Sequence, residues 1–182
     1  MIKYRKGDCM KQYKNLLIVG DKTNYVAISF ENIYKPVKYK YFNNFSNKGQ
    51  YTTDTVNTLI VLNRYLAEIY KDKGDNMHYI VIGNKVARTI SNGSYKLWVK
   101  TGQTSTGKIL DKEELLQWTI FNSLYKELSD VINIKAESYY AMKNVKYNKE
   151  FMAFTKELLN KAHKYIDNKK ENDLSDICDL LS

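Results

Sequence analysis

The sequence predicts an α/β fold: a mixed five-stranded sheet, three antiparallel strands followed by two parallel ones, flanked by helices. Three observations carry this expectation. Three short apolar runs separated by turns fill residues 15–42, the pattern of an antiparallel meander. His78-Tyr79-Ile80-Val81-Ile82 is an apolar-centred run between two helical patterns, as expected of a parallel strand buried on both faces. The element order β-β-β-α-β-α-α-β-α places the last two strands after helices, so each returns by a right-handed crossover.

Taken in order, the first strands are residues 15–20 (NLLIVG), 25–30 (YVAISF) and 37–42 (VKYKYF). In the third, Val37, Tyr39 and Tyr41 alternate with Lys38 and Lys40, the period of a half-exposed strand. Asp21 to Asn24 makes one turn, and residues 31–36 make another that holds the single proline, Pro36. Thr52, Thr53 and Asp54 carry oxygens suited to capping a helix. Val56, Leu59, Leu62, Leu66 and Ile69 then recur at helical spacing. After residues 71–76 (KDKGDN) and the fourth strand come a short helix at 85–90 and a helix at 111–130. In that second helix Trp118 shares an apolar face with Leu115, Phe121 and Leu128, so it belongs to the core. A fifth strand is expected within 131–140 and an amphipathic helix over 148–164. Residues 1–166 thus read as one domain. Residues 167–182 read as an acidic tail or a short docked helix, with Leu174, Ile177, Leu180 and Leu181 at helical spacing.

Composition narrows the function classes. With 182 residues the chain can bury a full core. It has neither an apolar run of about 18 residues nor a signal-peptide apolar region, so a cytoplasmic protein without membrane contact is expected. Cys9 and Cys178 stand far apart and read as free thiols. Two histidines, His78 and His163, and no CxxC pair argue against a His/Cys metal site. His78 reads as a packed residue and His163 as a solvated one. Nucleotide-binding glycine motifs and a GxSxG elbow are absent. Net charge is +9, and residues 1–166 hold 27 basic against 15 acidic side chains. A body this basic attracts polyanions, nucleic acid first among them.

One stretch, residues 91–117 (SNGSYKLWVKTGQTSTGKILDKEELLQ), sets four lysines among glycines and aromatics. This stretch reads as a Gly-broken basic protrusion between two helices, with Lys96, Lys100, Lys108 and Lys112 around one exposed tryptophan, Trp98. With Lys85 and Arg88 from the preceding helix, these cations suit a phosphate backbone, and Trp98 would pack on a sugar or brace the protrusion.

The element order and this protrusion together resemble type 1 ribonuclease H, over roughly residues 15–165. In that family a basic handle reads W-K-x-x-G-W-x-T-x-x-G-K-P-V. Here Trp98-Val99-Lys100-Thr101-Gly102-Gln103-Thr104-Ser105-Thr106-Gly107-Lys108-Ile109-Leu110 leads into Leu115-Leu116, with Gln103 in place of the second tryptophan. Lesser echoes are Thr52-Thr53, residues 86–90 (VARTI) and Asn148. The resemblance implies cleavage of the RNA strand of an RNA/DNA hybrid, using four carboxylates that hold two Mg²⁺ ions. Two divalent cations about 4 Å apart repel strongly, so only clustered anionic oxygens make such a site tolerable.

Matched position by position, the family's ligand set is mostly missing here. The first-strand acid matches Asp21, although Lys22-Thr23 replaces the Gly-Ser that normally follows. The first-helix acid matches Thr58, aligned through Leu59, Leu62 and Leu66. The fourth-strand acid falls at Ile82, Gly83 or Asn84, and the last-helix acid on Met152, with Glu150 on a different face. The loop histidine corresponds to Asn144. One vestigial ligand, Asp21, is too little negative charge for two cations.

The implied protein is a catalytically degenerate ribonuclease H-like binder of hybrid or duplex, with no resident cofactor. Two alternatives stay open. One is a protein-interaction module, phage- or mobile-element-encoded, docking through an apolar former active-site face (Ile82, Met152) or through residues 171–182. The other is an active Mg-dependent ribonuclease H with ligands redrawn from Asp21, Glu31, Asp54 and Glu150.

Overall fold

A computed structural model describes residues 13–21, 24–31, 34, 36–42, 53–71, 78–83, 85–129, 135–138 and 149–181. Cys9, Thr52, Asn84, Asn144 and Asn148, which the sequence reading singled out, lie outside these. The fold is mixed α/β, with an antiparallel three-stranded meander and, among the described residues, five helices. β1 (Tyr13–Asp21) and β2 (Asn24–Phe30) pair antiparallel, Asn15 opposite Phe30 and Asp21 opposite Asn24. Only Lys22-Thr23 joins them, the commonest loop length for a hairpin. β3 (Lys38–Phe42) pairs antiparallel with β2. β4 (His78–Gly83) lies parallel to β1, and β5 (Lys135–Ser138) parallel to β4, so the order is β3-β2-β1-β4-β5.

Two apolar layers cover the sheet because its central strands are apolar on both faces. Leu16, Tyr25, Ala27 and Phe42 face α1 (Asp54–Lys71), α2 (Lys85–Asn92), α3 (Ser94–Thr101) and α4 (Lys112–Leu128), which add Leu59, Leu62, Leu66, Val86, Tyr95, Trp118 and Phe121 to one core. The alternate residues Leu17, Val19, Val26, Ile28 and Phe30 form a second core with Leu158, Ala162 and Ile166 of α5 (Lys149–Leu181). The four-residue spacing of those α5 positions makes one continuous seam. Truncating Leu158 to alanine at such a site costs about 2–5 kcal/mol.

Three local choices explain element ends. Thr53 Oγ1 accepts from Val56 N–H at 3.3 Å, so Thr53 caps α1. Asp54, read from the sequence as part of the cap, is instead the first helical residue and accepts the Tyr25 hydroxyl at 2.6 Å. The Tyr25 ring lies where a side chain on its cross-strand partner Gly20 would stand: a Cβ there would meet ring carbons at 2.0–2.4 Å. Finally, α5 continues for 33 residues to Leu181 rather than ending near 164. No glycine or proline interrupts it.

Candidate nucleic-acid interface

The predicted protrusion is a compact helix and turn rather than an open loop. Gly93, at φ 73°, lets the chain leave α2, and Asn92 Oδ1 accepts from Ser94 N–H at 2.9 Å and Ser94 Oγ–H at 2.6 Å. α3 then presents Tyr95, Trp98 and Val99 inward at helical spacing, leaving Lys96, Leu97, Lys100 and Thr101 exposed. Gly102, at φ 71°, ends α3 as its N–H donates to the Trp98 carbonyl at 2.7 Å. A left-handed residue at this point costs least as glycine. The chain folds back through a tight turn: Thr104 N–H donates to Lys108 O at 2.8 Å and Lys108 N–H to Thr104 Oγ1 at 3.1 Å. Leu110 N–H closes the base of the loop on Gly102 O at 3.0 Å. Asp111 then caps α4 by accepting from Glu113 N–H at 3.1 Å.

Trp98 is not the exposed ring expected from the sequence, and of the two roles expected there its packing is that of the brace. It is half-buried, meeting Trp118 edge-on at 5.9 Å between ring centroids. Trp118 also stacks on Tyr95 at 5.7 Å and meets Phe121 at 5.8 Å. The partner that pulls Trp98 inward lies twenty residues away on α4, beyond the reach of local pattern. Trp98 therefore braces the handle against the core, and such aromatic pairs contribute about 0.5–1.5 kcal/mol beyond their buried area.

The six predicted cations all lie in solvent. Lys85 and Arg88 are exposed on α2, whose other face buries Val86, Ala87 and Ile90. Lys96 and Lys100 share the outer face of α3, Lys108 sits in the turn and Lys112 opens α4. Among the described residues no carboxylate forms an ion pair with any of the six. Glu113 and Glu114 follow Lys112 in the first turn of α4. There they complement the helix dipole, and Glu113 also holds Gln117 at 3.0 Å. Sequence reasoning missed α3 as a helix. The signal was Tyr95, Trp98 and Val99 at spacing three and four, bounded by Gly93 and Gly102.

Of the redrawn metal set, Glu31 stands apart from Asp21 and Asp54. Asp21 closes β1, and Asp54 is tied to that end of the sheet through Tyr25. Glu31 belongs to the opposite end: its carbonyl accepts from Asn15 Nδ2 at 3.3 Å. Asn15 lies six residues down β1 from Asp21, roughly 20 Å at the rise of a strand. Thr58, at the first-helix position, is 7% exposed within α1 and offers only a hydroxyl. Among the described residues no three of His, Cys, Asp and Glu cluster. The side chains of Asp21, Ile82, Glu150 and Met152 lie outside the described ones; their backbones place them at the end of β1, in β4 and in the first turn of α5. Among the described residues no helix is long and apolar enough to cross a membrane.

No family model and no curated protein matches the chain. A solved structure of the foamy viral protease-reverse transcriptase in complex with dsDNA is similar at 11% sequence identity and a TM-score of 0.42, over 78% of this chain and 88% of that one. A likeness at that level carries no argument about ligand or activity.

Proposed function

We propose that this chain binds the phosphate backbone of a nucleic-acid duplex or RNA/DNA hybrid through the α2–α4 handle, on a ribonuclease H-like fold that has lost catalysis. One observation carries the reading: six cations, Lys85, Arg88, Lys96, Lys100, Lys108 and Lys112, stand in solvent without carboxylate partners among the described residues, on a platform braced by Trp98 and Trp118. A backbone already ordered in short helices and a tight turn loses little freedom on meeting a phosphate ladder, so the ordering cost falls on the side chains alone. They read shape and charge, not sequence. The strand order and the handle residues support a ribonuclease H-like fold, and the distance of Glu31 from Asp21 supports its non-catalytic form.

Fluorescence anisotropy with a labelled RNA/DNA hybrid tests this. Each neutralised phosphate on a B-form duplex contributes about 0.9 to the slope of log K against log salt. Lys100→Gln with Lys108→Gln should therefore lower the slope by about 1.8. Affinity that stays flat with salt would overturn the proposal.

A protein-interaction reading has its own support, since Ile109 (75% exposed), Leu97 and Leu116 place apolar surface on the same handle. A stoichiometric protein partner that survives nuclease treatment in a pull-down would favour it.

A further inference from the structure

On the α5 side of the sheet, away from the handle, a second surface carries unused chemistry. Tyr39 and Tyr41 of edge strand β3 sit opposite Ile28 and Val26. Directly paired residues share a face, and Ile28 and Val26 pack under α5. Both tyrosines therefore emerge beside α5, about 6.7 Å apart along the strand. Tyr41 donates its hydroxyl to Asn24 and meets the Tyr165 ring edge-on at 5.9 Å, so its ring is fixed. Tyr165 is 38% exposed and Tyr39 44% exposed. One turn before Tyr165, Lys161 lies in solvent beside Glu157 at 2.7 Å, and both Glu157 and the nearby Tyr39 phenol hold its ammonium above the usual lysine range. Lys164 and Lys156 are exposed on the same helix.

We propose that Tyr39 and Tyr165, flanked by Lys161 and Lys164, form a stacking platform for unpaired nucleotides of single-stranded DNA or RNA. The chemistry separates this surface from the handle. In a duplex the base faces are already stacked on one another, so exposed rings gain little there. An unpaired base has a free face that a tyrosine ring covers, while adjacent cations meet its phosphates. Residues 153–168 hold Lys156, Lys161 and Lys164 against Glu157 and Asp167, a local balance of +1, and the whole chain's +9 draws polyanions toward it. This proposal does not require the handle to bind, so the two readings can fail separately.

The test uses labelled oligo-dT and oligo-U of about 15 nucleotides, which hold no stable pairing, beside a blunt duplex of similar length, all by anisotropy. One stacked base changes affinity by roughly 5- to 160-fold. Tyr39→Ala should weaken oligo binding by at least about fivefold, and Tyr39→Ala with Tyr165→Ala further, while blunt-duplex affinity stays within about twofold. Tyr39→Phe should retain binding, because the ring rather than the hydroxyl stacks. Tyr39→Ala and Tyr39→Phe alter a half-exposed edge position, so a matched urea midpoint keeps the comparison sound. Lys100→Gln with Lys108→Gln should show the inverse pattern, sparing the oligos. Wild-type protein that binds no oligo, or a Tyr39→Ala variant with unchanged oligo affinity, overturns the proposal. So does a Tyr39→Ala variant that loses a nuclease-resistant protein partner while oligo binding stands.

Discussion

Replacing Gly20 by alanine adds one methyl group where the fold has no room for it. That Cβ would lie 2.0 Å from Tyr25 Cδ1 and 2.2 Å from Cε1, far inside contact distance. The ring cannot simply swing aside. It is 1% exposed, and its hydroxyl is held by Asp54 at 2.6 Å on the first turn of α1. Moving it strains the core by about 1–3 kcal/mol. Losing a hydrogen bond to a carboxylate adds about 1.5–3 kcal/mol. The lower chain entropy of alanine in the unfolded state returns about 0.4–1 kcal/mol. The net expectation is about 3 kcal/mol of destabilisation. Urea unfolding followed by circular dichroism should then show the midpoint falling by about 1.2 M at a slope near 2.5 kcal/mol/M. In a Tyr25→Leu background the clash is gone, so Gly20→Ala should cost less than about 1 kcal/mol, a coupling of about 2 kcal/mol. Equal costs in the two backgrounds, or a neutral Gly20→Ala, would refute the reasoning. The outcome also bears on chemistry, because it tests whether Asp54 is an anchor for Tyr25 instead of a ligand waiting for a cation.

Three further outcomes are expected. Trp98→Ala should lower stability by about 2 kcal/mol in urea melts and weaken hybrid binding without changing charge, with Trp98→Phe intermediate; unchanged stability would mean the tryptophan does not brace the handle. Tyr95 is buried against Trp118, and burial first, then Tyr125, pushes its phenol above the ordinary 10.0. The neutral form is thus favoured in the folded state, so its stabilisation is complete below about pH 10 and lost as pH rises through the raised folded value. Urea midpoints across about pH 8 to 11 should fall at the alkaline end in wild type and fall less in Tyr95→Phe. In a hybrid-cleavage assay with Mg²⁺ or Mn²⁺, wild type and Asp21→Asn should be equally inactive; robust cleavage that depends on Asp21 would overturn the non-catalytic reading.

Much of the framework was legible in the residues because local pattern carries it. Lys-Tyr-Lys-Tyr over Lys38 to Tyr41 announces a half-exposed strand, and β3 lies at the edge of the sheet. Thr53, Gly102 and Asp111 terminate elements through bonds to atoms two to four residues away. The exposure of Lys96 and Lys100 follows from the apolar spacing of the residues between and around them. These are short-range effects, set by backbone geometry and side-chain alternation, and a sequence states them directly.

The site itself depended on partners that only the tertiary structure brings near. Trp98 turns inward because α4 delivers Trp118 to it. Asp54 is occupied because Tyr25 crosses Gly20 from a neighbouring strand. Glu31 is removed from the candidate ligands because β2 runs antiparallel to β1 and carries it to the far end of the sheet. Tyr39, Tyr41 and Tyr165 become one surface only once α5 lies across the meander. The chain alone determined charge, periodicity and element order, since each depends on neighbours along the backbone. Which aromatic is a brace, which a platform, and which acid is out of reach were decided by packing, since contact energy depends on distance in space.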